Sequence, residues 1–449
     1  MRIPALPVLL VTAIVAGACS GNNPTPPLVG AAGWSWSPGV ADDHPLPVLW
    51  WGSTTPQLLP LLDGGDCAAS GSVQGLFAET GTPLAVGISV ACAGESPVMR
   101  PVMWIDGQVQ ALDLPAGRTQ GTAFAVASQP AQTRIAIPDR FVGGATGTAW
   151  PLPTIWKNGA VVASDPLDLL PPDHDAGMVT SITTTDQFVL AAGVAHRTGS
   201  SPPAYSAVVW LFDLDFTAST WDFLPPPSGT GGAGVGGWVS MRLDEATDIW
   251  SSAAIVGSTG VSKPVVWTND VADPPFGVDF ATAPWASPTG LALVGLVPYS
   301  SGWARTTSSS ALPQPAVWAG SILSILPSAD PANPLGAGEA IAIHLGSAFV
   351  TGETCKADPT DGARKLAVPA LWSNEVRTDL GTLAAPGAGP VISGPLFGWW
   401  QIPPATTEEP PQSWPYPGGT GEVLSAAPIA AAGSGVARAV VAVPPASGN

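Results

Sequence analysis

Pro101-Val102-Met103-Trp104, Pro264-Val265-Val266-Trp267 and Pro369-Ala370-Leu371-Trp372 are three copies of one phrase. It returns as Pro-Val-Leu-Trp at Trp50, Pro-Thr-Ile-Trp at Trp156, Ala-Val-Val-Trp at Trp210 and Pro-Ala-Val-Trp at Trp318. Successive tryptophans are 54, 52, 54, 57, 51 and 54 residues apart. Self-similarity at so steady a period marks a repeat architecture.

Working outward, each tryptophan is followed by a short turn and another extended run. Ile105-Asp106-Gly107 leads into Val109-Gln110-Ala111-Leu112-Asp113-Leu114, which alternates with period two. Two such runs around a Gly- or Asn-bearing turn form a hairpin. Upstream lies an apolar run closed by glycine, at Gly87, Gly143, Gly193, Gly257, Gly295 and Gly352, and before it one more short run such as Val73–Phe77. A unit therefore holds four short strands, too few to bury both faces alone. Four-stranded units in radial array are propeller blades. The 51 prolines and 52 glycines, with no 3.6-residue periodicity, exclude a helical solenoid. The tryptophan reads as a third-strand side chain filling the space between blades, hence core and not a cofactor box.

Pro369 to Leu383 reads PALWSNEVRTDLGTL. This stretch resembles the extracellular HAF repeat, whose pattern joins an apolar-Leu-Trp to a turn and a Thr-Asp-Leu-Gly-Thr-Leu tail. The other units keep Trp and lose the tail. The resemblance implies an exported, propeller-like repeat protein and carries no catalytic residue.

The expected fold is all-β, a single propeller over residues 41–445 with seven or eight blades, eight being preferred because Val391-Ile392-Ser393-Gly394 stands upstream of Trp414 at the proper offset. The unit at Trp50 lacks its upstream strands. Pro428–Gly433 and Arg438–Val443 read as those two strands, closing the ring onto the N-terminal hairpin and removing exposed edges.

Charged residues make up 11% of the chain and the net charge is −18. That balance argues against nucleic acid, whose phosphates need a basic footprint. Residues 1–19 read as a lipoprotein signal peptide: Arg2, an apolar run from Ile3 to Ala16, then Gly17-Ala18-Cys19. The run is too short to span a bilayer. Ala16-Gly17-Ala18-Cys19 resembles a bacterial lipobox, which implies lipidation of Cys19. Residues 20–40 are expected to form a flexible tether, and Ser20 after the cysteine implies the outer membrane. Cys67 and Cys92 flank one predicted hairpin, and an oxidising compartment permits a disulfide between them. Cys355 has no evident partner.

Ionisable constellations are sparse. Asp173-His174-Asp175 and Asp42-Asp43-His44 are weak candidates for a divalent cation in loops, against the simpler reading of solvated polar loops. Asp213 and Asp215 would share one face of a strand, as paired carboxylates for glycoside hydrolysis would require, yet no sialidase-type Asp box recurs. The glycine run 229–237 reads as a surface loop. Trp34, Trp36, Trp285 and Trp399-Trp400 fall outside the repeated position and are candidate exposed aromatics for sugar or protein contact. No catalytic residue, cofactor or resident metal is expected. The reading is a monomeric, non-enzymatic cell-envelope lipoprotein that binds or scaffolds a protein or glycan ligand; the alternative is an exported polysaccharide hydrolase or lyase.

Overall fold

The computed structural model describes most of residues 27–383 together with 435–443. Residues 1–26, 37–44, 63–69, 130–137, 199–204, 226–233, 274–284, 306–311, 358–364, 384–434 and 444–449, with a few shorter stretches, lie outside that description.

The chain enters through β1 (Leu28–Trp36), β2 (Pro45–Trp51) and β3 (Gln57–Leu58) of blade 1. Blade 2 follows as β4 (Ser70–Glu79), β5 (Thr82–Ala93), β6 (Ser96–Ile105) and β7 (Gln108–Ala111), and blade 3 as β8 (Gly121–Ser128), β9 (Arg140–Thr146), β10 (Leu152–Lys157) and β11 (Ala160–Val161). Blade 4 is β12 (His174–Thr184), β13 (Phe188–Arg197), β14 (Tyr205–Asp213) and β15 (Ser219–Leu224). Blade 5 is β16 (Gly234–Leu243), β17 (Ile249–Val256), β18 (Ser262–Thr268) and β19 (Val271–Asp273). Blade 6 is β20 (Trp285–Val294), β21 (Val297–Arg305), β22 (Gln314–Ala319) and β23 (Ile322–Ile325). Blade 7 is β24 (Gly336–His344), β25 (Ser347–Ala357), β26 (Lys365–Ser373) and β27 (Val376–Asp379). Finally β28 (Gly435–Val443) pairs with β1, so blade 1 has the order β28-β1-β2-β3. Every sheet is a four-stranded antiparallel meander, and the fold is a β-propeller.

All seven repeated tryptophans lie on the third strand and are at most 1% exposed. Their indoles also tie blades together. Trp104 Nε1 donates to Pro60 O, Trp156 to Asp113 O, Trp210 to Leu169 O, Trp267 to Pro225 O and Trp372 to Pro327 O, at 2.6–2.9 Å. Each acceptor lies in the linker leaving the preceding blade. Trp318 follows a linker, 274–284, that is outside the described residues. The recurrent glycine of the second strand has a steric cause. A Cβ on Gly87, Gly193, Gly302 or Gly352 would meet an inner-strand carbonyl oxygen at 1.9–2.1 Å.

The ring closes at seven among the described residues. Trp50 donates to Gly381 O at 2.9 Å, which repeats the interblade bond between the last blade and the first. Gly381 N donates in turn to Thr54 O. The candidate eighth unit at Trp414 lies outside the described residues. Two boundaries differ from the sequence reading. The expected tether, 20–40, contains β1, which is a buried strand paired on both sides. The chain end then supplies one strand of blade 1 and not two, and Pro428–Gly433 lies outside the described residues. The glycine run 229–237 is also only partly a loop, since its last four residues begin β16.

The two rims are unequal. Turns from first to second strand and from third to fourth are mostly two residues, as at 295–296, 345–346, 158–159 and 374–375, the main exception being 129–139. Left-handed Asn158, Asn374 and Leu345 and several glycines make these turns tight. The opposite rim carries the second-to-third connections, five to eight residues in six blades, and the long interblade linkers. Loops that carry function collect where a rigid scaffold presents them.

Candidate functional site

On the loop-bearing rim of blade 4, three strand ends converge: the start of β12, the end of β13 and the start of β14. The backbone register places His174 opposite Arg197, and His196 opposite both Ala176 and Tyr205. Asp175 falls at a bulge in β12, since His174 and Ala176 pair with successive residues of β13. The bulge re-aims the carboxylate, whose Oδ1 lies 2.6 Å from His196 Nδ1. His196 is 5% exposed and its ring packs on Tyr205 at 5.3 Å. Burial pushes the Tyr205 hydroxyl up to about 12, and the nearby Asp175 charge adds to the shift.

His174 faces a second set of partners. Its Nδ1 lies 2.9 Å from Pro172 O, and its Nε2 lies 3.2 Å from Ser206 Oγ. A carbonyl only accepts, so Nδ1 carries a proton, and Nε2 and the Ser206 hydroxyl share the second hydrogen bond. The ring also contacts Phe223 at 5.4 Å, and Phe223 meets the edge of half-exposed Trp221 at 5.1 Å. The two sets lie on opposite faces of the blade 4 sheet: Tyr205 packs toward blade 5, and Phe223 packs with Val208 and Trp210 toward blade 3.

This geometry separates the Asp173-His174-Asp175 triplet. Asp173 is exposed, in the left-handed conformation at φ 63°, and its carbonyl accepts from Thr198 N. His174 and Asp175 engage different partners. No group of three or more metal-ligating side chains occurs among the described residues. His196, Tyr205 and Trp221 were not legible as site residues, because only strand pairing brings them to positions 174–175. Asp213 and Asp215 do not form a strand-face pair: β14 ends at Asp213, which caps the following turn by accepting from Thr217 N at 2.7 Å and from the Thr217 hydroxyl. Trp34 is 6% exposed and lies on the interblade face with Ala32, so it is core and not a binding aromatic. For Trp36 and Trp285 only the strand backbone is described, and Trp399-Trp400, Cys19, Cys67 and Asp42-Asp43-His44 lie outside the described residues. Cys92 stands at the end of β5, and Cys355 is a buried thiol.

A second polar cluster lies at the seam between blades 7 and 1. Elsewhere the innermost strands are joined by hydroxyls: Thr180 Oγ1 donates to Val239 O and Ser240 Oγ to Thr289 O, both at 2.7 Å, and Thr289 Oγ1 donates to Gly338 O. At the seam the equivalent bulged positions hold Glu339 and Arg438, which pair at 3.7 Å with side chains only 11% and 7% exposed. Glu353, 4% exposed, joins them, and its Oε2 has no hydrogen-bond partner among the described residues. Burial, and then the Glu339 charge, push its carboxyl well above the usual range against the pull of Arg438. Burial likewise raises Glu339. One guanidinium cannot neutralise two buried carboxylates, so the cluster retains a proton. Neither carboxyl is accessible to a polysaccharide, and the trio is a structural clasp.

No protein-family profile matches the chain, and no curated protein sequence matches it. Among solved structures, Trypanosoma rangeli sialidase in complex with the inhibitor DANA is similar at 8% identity and a TM-score of 0.38, over 72% of this chain and 55% of that one. The chain thus spans about half the length of that sialidase. An exo-1,5-alpha-L-arabinanase from a bovine ruminal metagenomic library is similar at 10% identity and a TM-score of 0.27, over 56% of this chain and 95% of its own. A glycoside hydrolase described as putative from Parabacteroides distasonis has 12% identity and a TM-score of 0.26, over 55% of this chain and 87% of its own.

Proposed function

We propose that this chain is a lipid-anchored cell-envelope propeller that binds a protein or glycan ligand, without catalysis, on the loop-bearing rim of blade 4. The observation that carries the reading is the aromatic row of His174, Phe223 and half-exposed Trp221, which runs from the loop-bearing rim of blade 4 along one face of its sheet. Aromatic faces stack on sugar rings and anchor protein partners, while the bonded polar groups fix orientation. Envelope address is supported by Ala16-Gly17-Ala18-Cys19 and by the likeness of residues 369–383 to the HAF unit. Glycan arrays and pull-downs from envelope extracts test the ligand. Trp221→Ala is expected to abolish capture while leaving the thermal midpoint near that of the parent; undiminished capture would move the site elsewhere.

A second reading, an exported hydrolase, rests on one contact. Ser206 stands within hydrogen-bond reach of His174, itself oriented by a backbone carbonyl, which is the arrangement of a nucleophile and its base. Fluorophosphonate labelling at Ser206, absent in Ser206→Ala and in His174→Ala, would favour it over binding alone.

A further inference from the structure

Exposed large apolar side chains are concentrated on one sector of the tight-turn rim. Leu296 (68% exposed), Val297 (46%) and Ile322 (62%) belong to blade 6; Leu345 (79%) and Val376 (68%) belong to blade 7. Each lies in a tight turn or is the first strand residue after one. The corresponding fourth-strand starts of blades 2, 3 and 4 are Gln108, Ala160 and Ser219, and the first turn of blade 4 holds Asp186 and Gln187. Leu345 is held in the left-handed conformation, φ 47°, where Gly or Asn would be easier. At its exposure, packing within the fold does not account for a leucine there.

Chain direction tells what this sector faces. β1 ends at the loop-bearing rim, where 37–44 leads to β2, so Leu28 begins on the tight-turn rim. Gly52 N, in the turn of blade 1 on that rim, donates to Val29 O and fixes the entry point. Blade 1 adjoins blade 7, which adjoins blade 6. Eight residues separate Cys19 from Leu28, a reach of about 30 Å when fully extended. The insertion 384–434, by contrast, leaves from blade 7 and returns to β28 at the loop-bearing rim, where Leu383 N donates to Ser35 Oγ near the end of β1. It therefore leaves and re-enters on the opposite rim. Charge divides the same rim. Exposed Asp106 marks a turn of blade 2, and Asp186 and Asp215 mark turns of blade 4, whereas Glu375 is the one carboxylate among the described turn residues of blades 6 and 7.

We propose that the tight-turn rim of blades 6 and 7 seats on the lipid bilayer to which Cys19 is attached, through Leu296, Val297, Ile322, Leu345 and Val376. This rests on the lipid-anchor reading. The seat orients the propeller: the acidic turns of blades 2 and 4 tip away from the surface, and the loop-bearing rim points outward. An apolar protein contact adds to a lipid anchor a second attachment that fixes orientation.

The full chain carrying benzoylphenylalanine in place of Leu345, or in place of Gln108 on the same rim, is purified from expressing cells. It is then irradiated on phosphatidylcholine vesicles. Mass spectrometry of the N-terminal peptide separately reads acylation of Cys19. Lipid adducts at position 345, several-fold above those at 108, support the seat. Equal or absent adducts at 345 in acylated protein overturn it. In the Cys19→Ser chain, Leu296→Asn, Ile322→Asn, Leu345→Asn and Val376→Asn together are expected to lower vesicle partition about tenfold with an unchanged thermal midpoint. Unchanged partition overturns the proposal. So does a dimer in solution that the same four substitutions dissociate, since the patch would then serve a second copy. An unacylated Cys19 with adducts still concentrated at 345 removes the anchor and leaves the seat standing.

Discussion

Trp50 donates its indole N–H to the carbonyl of Gly381 at 2.9 Å, across 331 residues of chain. The same bond spans 41 to 45 residues at five other blade junctions. The seam is thus built like those five junctions, except that the sequence between its partners is about three quarters of the chain.

Trp372→Phe keeps most of the buried surface and removes one interblade hydrogen bond, which should cost about 1 kcal/mol. Trp372→Ala should cost about 3–5 kcal/mol through the cavity as well. Trp50→Phe is expected to match Trp372→Phe in urea unfolding. A markedly smaller loss at Trp50 would mean the seam contributes less than the other junctions.

Glu353 binds its proton more tightly folded than unfolded. Between its ordinary value of 4.5 and its raised folded value, the native state therefore holds more protons than the unfolded chain, and stability falls as pH rises through that window. Glu353→Gln keeps the neutral form at every pH. Its thermal midpoint should exceed that of the parent at about pH 8 and converge with it toward about pH 4, below the window. Parallel profiles would contradict this account.

Arg438→Met leaves two buried carboxyls without their cation. Breaking a buried pair in this way costs on the order of 3 kcal/mol. Since protonated carboxyls need no counter-ion, the deficit should shrink as pH falls. Chemical denaturation at two pH values checks it, and a constant deficit would assign the arginine a packing role only.

Tyr205 should ionise near 12, against 10.0 for an ordinary tyrosine. Ultraviolet difference titration resolves it from the other two tyrosines of the chain. Asp175→Asn removes the neighbouring charge and should lower the value, by less than burial alone raises it, since burial is the larger cause.

Removing β28, by ending the chain before Gly435, should leave β1 with an open edge and expose Val48 and Trp50 of the first blade's core. Such a chain is expected to self-associate and to unfold at lower urea concentration.

What could be read beforehand followed from local rules. The tryptophan phrase placed the third strand and its buried face, because a large side chain at a fixed strand position has the same neighbour in every repeat. Gly87, Gly193 and Gly352 were likewise legible, and their cause is a carbonyl at about 2 Å. Gly295 misled, since it sits in a first-to-second turn at φ 57° and the equivalent glycine of its blade is Gly302. Leu28–Trp36 was masked by the Pro- and Gly-rich residues before it, although Gly30-Ala31-Ala32-Gly33 suits a second strand pressed between two neighbours. The candidate site was least visible. His196 and Tyr205 reach Asp175 through cross-strand register at a bulge, and Arg438 reaches Glu339 across the ends of the chain; neither relation has a signature in linear spacing.

Because the inner strand of blade 1 is β28, the first three strands of the protein are made long before their partner exists. They wait through the synthesis of six complete blades. A chain made in this order holds its ring open until nine late residues, Gly435–Val443, turn an arc of blades into a closed body. Closure of the ring is therefore set by the last part of the chain to be made.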